Sequence, residues 1–157
     1  MPTNTTIRFA QEHDLAELAS LFNAYRIFYE QPSDRAVAEN FLRERMQHAE
    51  SVILVADNPE AHPGHKLDGF CQLYPTFCSV EAKPIAVLYD LFVAPSARGR
   101  GVARRLMLAA QDYAKSSGKA RLDLSTAKNN YTAQALYESL GYERDDVFYT
   151  YNLGIEK

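Results

Sequence analysis

A chain of 157 residues, 46% hydrophobic and 24% charged, is long enough to bury one core without a metal or a disulfide framework. Its net charge of −3 argues against a general nucleic-acid surface, which needs a basic face. Two cysteines, Cys71 and Cys78, are too few for a disulfide scaffold, and no apolar run has the length of a membrane span.

The opening, MPTNTTIRFA, lacks the basic start and long apolar segment of an export signal. The expectation is therefore a cytoplasmic protein with one domain over residues 1–157, and with no membrane or nucleic-acid partner. Residues 6–10 read as a strand. Residues 13–29 read as a helix with Leu15, Leu18, Phe22 and Tyr25 on one stripe. Pro32 ends it, and Ser33 or Asp34 can cap a second helix reaching about residue 47, with Val37, Phe41 and Leu42 inward. Residues 51–56, 67–77 and 85–93 read as strands, the first two separated by a turn-rich loop carrying Pro59, Pro63 and Gly64. A helix over residues 101–117 places Val102, Leu106, Ala109 and Tyr113 on one face, and Gly118 closes it. Residues 121–125 read as a strand and 130–140 as a short helix ended by Gly141. Residues 142–144 and 147–153 then read as a hairpin around Asp145-Asp146. Strands and helices alternate without repeats or linkers, which means a mixed α/β sheet.

The most informative stretch is VLYDLFVAPSARGRGVARRLM, residues 87–107. An apolar strand breaks at Ala94-Pro95, and a basic glycine turn, Arg98-Gly99-Arg100-Gly101, opens a helix at Val102. Such a turn leaves backbone N–H groups aimed at one point, with the positive end of the helix dipole behind them. That arrangement holds a phosphate or pyrophosphate. A triphosphate loop needs Gly-Lys-Ser/Thr, but Gly101 is followed by Val102-Ala103. A dinucleotide loop needs a third glycine where this chain has Arg104.

Arg98-x-x-Gly101-x-Ala103 resembles the (Gln/Arg)-x-x-Gly-x-(Gly/Ala) signature of the GNAT superfamily of N-acetyltransferases. Residues 130–142, NYTAQALYESLGY, resemble that family's second motif, Asn-x-x-Ala-x-x-Leu-Tyr-x-x-x-Gly-(Phe/Tyr), in the same order and spacing. The opening, Ile7-Arg8-Phe9-Ala10 before Asp14-Leu15 and Leu18, is similar to the family's first strand and helix. Three segments, at residues 25–31, 69–75 and 90–93, are also similar to a subgroup containing the yeast histone and polyamine acetyltransferases. The resemblance implies a central, mostly antiparallel, splayed sheet of about six to seven strands flanked by about four helices. It implies acetyl-CoA as co-substrate and direct transfer to a primary amine in a ternary complex, with a small or polyamine-like acceptor favoured. A protein or peptide acceptor and a non-catalytic acyl-CoA sensor are the alternatives.

Carried over residue by residue, the resemblance assigns the cofactor to Leu91, Phe92, Val93, Arg98, Gly99, Arg100, Gly101, Val102, Ala103, Arg104, Asn130 and Tyr137. Tyr137 matches the tyrosine thought to protonate the departing thiolate, although a helical tyrosine also serves packing. Asn130 can equally cap the last helix. Many relatives carry a glutamate where this chain has Tyr89, which leaves Asp90 as the nearest carboxylate, either a base or a structural residue turned to the other face. Tyr29, Glu30, Asp34 and Tyr74 can form an aromatic, acidic acceptor pocket suited to a cation, or else exposed loop charges. No cysteine sits in a motif position for an acyl intermediate, and the histidine spacing suits no standard metal site. The aromatic terminal strand at residues 147–153 leads us to expect a homodimer, as in the subgroup.

Overall fold

The computed structural model describes residues 4–156; residues 1–3, part of the N-terminus read for an export signal, and residue 157 lie outside them. Two compact units divide after Ser125. The first contains β1 (Thr6–Phe9), α1 (Leu15–Phe28), α2 (Arg35–Gln47), β2 (Val52–Asp57), β3 (Leu67–Cys78), β4 (Lys83–Val93), α3 (Val102–Ser116) and β5 (Leu122–Asp123). Among the described residues the sheet has five strands in the order β1-β2-β3-β4-β5. It is antiparallel except for the parallel β4–β5 pair, which joins only Ala86 to Leu122 and Val87 to Asp123.

Local chemistry sets the ends of these elements. Asp34 caps α2 by accepting the Val37 N–H at 3.0 Å. At the entrance to α1, the buried Asp14 receives two guanidinium bonds from Arg8, at 2.8 and 2.9 Å, and the Gln11 N–H at 2.7 Å. One face of the sheet packs Ile53, Val55, Phe70 and Phe92 against Leu18, Ala19 and Phe22 of α1 and Ala38 and Leu42 of α2. The opposite face carries α3. There Gly69 is obligatory, because an added Cβ would meet the Phe92 carbonyl oxygen at 2.7 Å and the Leu106 side chain at 3.4 Å.

Two helix faces differ from their expected stripes. Val37 is exposed and Ala38 turns inward, while α3 buries Met107, Ala110 and Ala114 with Val102 and Leu106, in place of Ala109 and Tyr113. A helix lying flat on a broad sheet covers a wider arc than a narrow stripe, so small residues beside the stripe are buried too.

The second unit holds α4 (Tyr131–Ser139), whose N-cap Asn130 accepts the Ala133 N–H at 3.2 Å. The expected terminal hairpin is absent: residues 142–144 and 147–153 form no strand among the described residues, which lowers the strand number from the expected six or seven. Asp145 Oδ1 accepts the N–H groups of Val147 and Phe148 at 2.8 and 3.2 Å, which makes a local turn. A strand exists only through a ladder partner, and this segment has none among the described residues.

The β3–β4 ladder contains a bulge. Gln72 lies opposite Asp90 and Leu73 opposite Leu88, so Tyr89 is the extra residue. Adjacent β3 residues point to opposite faces, and therefore Leu88 and Asp90 do as well, although they are two apart in sequence. Asp90 consequently shares with Phe92 and Gln72 the face covered by α1 and α2.

Candidate active site

From Leu88 to Val93 the edge of β4 beyond its short pairing with β5 has no strand partner among the described residues. This opened edge runs directly into the glycine turn. Gly99 and Gly101 have φ of +78° and +76°, and a Cβ on either would point into open space. These are left-handed conformations that other residues adopt only with strain. Gly101 is the N-cap of α3, and its carbonyl accepts the first intrahelical bond, from Arg105 N–H at 3.1 Å. The first-turn N–H groups of Val102 and Ala103 have no intrahelical acceptor, as at any helix start. The turn is thus a concave anion cradle backed by a helix dipole.

The arginines divide by role. Arg98 Nε donates to the Val93 carbonyl at 3.0 Å and its guanidinium lies 5.4 Å from the centre of the Phe92 ring, so its side chain closes the turn onto β4. Arg105 reaches back to the Thr5 carbonyl at 2.6 Å. Arg100 is exposed beside the glycines, and Arg104 is exposed on the first turn of α3.

Around the bulge a polar cluster sits inside an aromatic wall. Asp90 is 5% exposed and accepts the Gln72 Nε2 at 2.7 Å. Gln72, fully buried, accepts the Ser51 hydroxyl at 2.7 Å. The Tyr25 hydroxyl donates at 3.3 Å to the carbonyl of Tyr89, the extra residue of the bulge. Burial pushes the Asp90 carboxyl above its ordinary range, against the opposing hydrogen bonds of Gln72 and Tyr25. Burial first, and then Asp90 itself, also raise the phenols of Tyr25 and Tyr74. The rings of Tyr25 and Tyr29 lie 5.1 Å apart and those of Tyr74 and Tyr89 5.7 Å apart. An uncharged surround that raises a carboxyl makes it a better proton acceptor, and tyrosine faces attract cations.

Of the expected acceptor residues, Tyr29 and Tyr74 belong to this aromatic wall. Glu30 lies two residues past α1 with φ of +65°, and Asp34 is occupied as the α2 cap. Tyr25 lies in the segment, residues 25–34, expected to recognise the acceptor, whereas Gln72 was not foreseen as a site residue, because only the β3–β4 register sets it opposite Asp90. In the second unit, Tyr137 is half-buried with its ring 6.1 Å from that of Tyr142, and its carbonyl accepts the Tyr142 N–H at 3.0 Å. Cys71 is buried, which pushes its thiol up to about 12, far from the range in which a thiolate is available. Among the described residues no three His, Cys, Asp or Glu side chains gather in a way that could hold a metal, and no helix is long and apolar enough to cross a membrane.

Residues 15–142 match the acetyltransferase (GNAT) family. The chain is 48% identical over 149 residues to the uncharacterized N-acetyltransferase YhfO of Bacillus subtilis, covering 95% of this chain and 97% of that one. A probable acetyltransferase of Haemophilus influenzae is 28% identical over 134 residues, covering 85% and 87% of the two chains. The crystal structure of a probable acetyltransferase superposes with a TM-score of 0.88 at 38% identity, covering 97% of this chain and 99% of that chain. These relatives lend no support to the narrower likeness to the yeast histone and polyamine subgroup. With its splayed sheet, its glycine turn and the match across residues 15–142, the chain belongs to the acetyltransferase (GNAT) family and is an acetyltransferase of that family.

Proposed function

We propose that this acetyltransferase moves an acetyl group from acetyl-CoA to the primary amine of a small acceptor, directly and within a ternary complex. The observation that carries this reading is the unpaired edge of β4 leading into the Gly99–Gly101 turn. Acetyl-CoA, when bound, supplies the activated acetyl group. The N–H groups of Val102 and Ala103, with Arg100 and Arg104 nearby, would hold pyrophosphate oxygens, and the β4 edge at Leu91–Val93 would pair with amides of the pantetheine arm. Asp90 would take the proton lost by the amine as its C–N bond forms. Tyr137 would give a proton to the sulfur as the C–S bond breaks, the role the family resemblance assigns to it. Asn130 would support cofactor binding while capping α4.

A primary amine is favoured because the tyrosines at positions 25, 29, 74 and 89 surround a carboxylate, a combination that attracts and then deprotonates an ammonium. Thiol release from acetyl-CoA should appear with small primary amines and fall on the order of a hundredfold in Tyr137→Phe, with cofactor affinity retained. Absence of thiol release across a panel of amines and lysine peptides would overturn the reading. The exposure of Tyr29 and Tyr89 favours one second reading, a lysine of a peptide, which preferential turnover of a lysine peptide would establish.

The reading treats residues 1–157 as one catalytic domain, so a chain ending at Ser125 should have no turnover. It also includes a homodimer. Val147, Phe148, Tyr149, Tyr151, Leu153 and Ile155 are each 79–89% exposed, a strip of apolar surface that a second copy would cover. A monomer mass by light scattering at micromolar concentration would reject the dimer.

A further inference from the structure

The acid–base reading of Asp90 leaves open what aims its carboxylate. Gln72 stands directly opposite Asp90 across the β3–β4 ladder, at the register position where the bulge begins. Its amide has two different ends, and the neighbours determine which end goes where. The Ser51 hydroxyl donates to Oε1 at 2.7 Å, and Nε2 then donates to Asp90 Oδ2 at 2.7 Å. A carboxylate can only accept, so the amide nitrogen is the end that fits, and Ser51 holds it there by engaging the oxygen. Gln72 is fully buried, and turning the amide over would set its oxygen against the carboxylate.

We propose that Gln72, oriented by Ser51, is the positioning residue that fixes the direction and proton affinity of the Asp90 carboxylate toward the acceptor amine. This inference rests on the proposed acetyl transfer to an amine. It adds a buried chain, Ser51–Gln72–Asp90, spanning β3 and β4 from the residue that precedes β2. A hydrogen bond to a carboxylate favours its charged form, so removing the Gln72 donor raises the affinity of Asp90 for its proton. The other titratable groups around Asp90 are Tyr25 from α1, Cys71 and Tyr74 from β3, and Tyr89 beside it on β4, with Tyr29, just past the end of α1, acting on Tyr25 and with Arg45 and Glu50 acting on Tyr74. Burial raises the Tyr25 and Tyr74 phenols further still from the range in which Asp90 would be followed.

The test reads the carboxyl group itself and then the rate. Aspartate labelled with 13C at the side-chain carboxyl is titrated by NMR in the full-length protein, with the Asp90 signal assigned by its loss in Asp90→Asn. In Gln72→Met, a swap of similar volume, the Asp90 midpoint should rise by about one pH unit, corresponding to about a tenfold change in proton affinity. In Ser51→Ala, where Gln72 keeps its place, it should rise less and in the same direction. The acidic limb of kcat/KM, measured by thiol release with n-butylamine and acetyl-CoA, should move in parallel while the KM for acetyl-CoA changes less than about threefold. An unmoved midpoint in both variants would show that Gln72 does not govern Asp90. A moved midpoint with an unmoved kinetic limb would separate Gln72 from the reaction. Both results overturn the inference and leave acetyl transfer standing. Absence of thiol release by the wild-type enzyme with any amine would instead overturn the functional reading on which the inference rests, and the inference with it.

Discussion

Two aspartates, Asp14 at the entrance to α1 and Asp90 in the middle of β4, are each 5% exposed, yet their carboxyl groups shift in opposite directions. Burial raises both. At Asp14 that effect is overcome by the Arg8 guanidinium and the Gln11 N–H, and the carboxyl titrates below its ordinary 3.8. Asp90 has only neutral partners, Gln72 and Tyr25, and stays above 3.8. A cation beside Asp14, and at Asp90 neutral partners deeper in the protein, separate a carboxylate that pins the fold from one able to accept a proton. Linkage gives the two opposite pH signs. The stability due to Asp14 is present above 3.8 and is lost as pH falls through its lowered value. The contribution of Asp90 is present below 3.8 and is lost as pH rises through its raised value.

The strongest way to break this contrast is to make Asp14 resemble Asp90. Arg8→Met leaves a buried carboxylate without its cation and should lower stability at pH 7 by about 3 kcal/mol in urea unfolding. In that variant the Gln11 N–H still opposes burial at Asp14 but the cation is gone, so its contribution to the acid dependence should shrink. A loss below about 1 kcal/mol would mean that the pair does not pin the entrance to α1.

Asp90→Asn removes the buried charge and keeps its shape. Turnover should fall by about a hundredfold, about 2.7 kcal/mol of barrier, while stability at pH 7 holds or rises by up to about 1 kcal/mol. Thiol-release rates and a parallel melt separate the two effects, and activity within about threefold of wild type would return Asp90 to a structural role.

Gly101→Val sharpens the contrast at a position where the ligand and not a charge sets the requirement. Valine at φ of +76° is strained, and its branches would occupy the open concavity, so acetyl-CoA affinity should fall by about tenfold or more in calorimetric titration. Unchanged affinity would displace the cofactor from this turn. The smallest effect is expected from the double change Cys71→Ala and Cys78→Ala. Cys71 is another buried acid with no cation, and turnover should remain within about twofold, with some loss of melting temperature from packing at Cys71. An acetylated cysteine on the reaction path would contradict direct transfer.

Most of the frame was legible in the residues, because periodicity and punctuation are local. Asp34 and Asn130 marked helix starts, Gly101 and Gly118 marked the two ends of α3, and the apolar runs marked β2, β3 and β4. The bulge was not legible, because the residues from Ala86 to Phe92 form an apolar run broken only by Asp90, and only pairing with β3 shows that the faces exchange between Leu88 and Asp90. Gln72 was invisible as a site residue for the same reason: an amide in an apolar strand acquires meaning only from what stands across the ladder. The terminal segment erred the other way. Its alternation from Val147 to Leu153 satisfied every local rule for a strand, but the ladder that makes a strand is a property of two segments.

The bulge also has a consequence in heredity. Deleting the single codon for Tyr89 would leave Asp90 following Leu88, still opposite Gln72, in a ladder with no irregularity left. The sheet would lose nothing in pairing, while the carbonyl that meets Tyr25 and the local bend of β4 would both disappear. Gain of such a codon would run the same change in reverse. The step between a regular β3–β4 ladder and one bent beside its carboxylate is thus one three-nucleotide event.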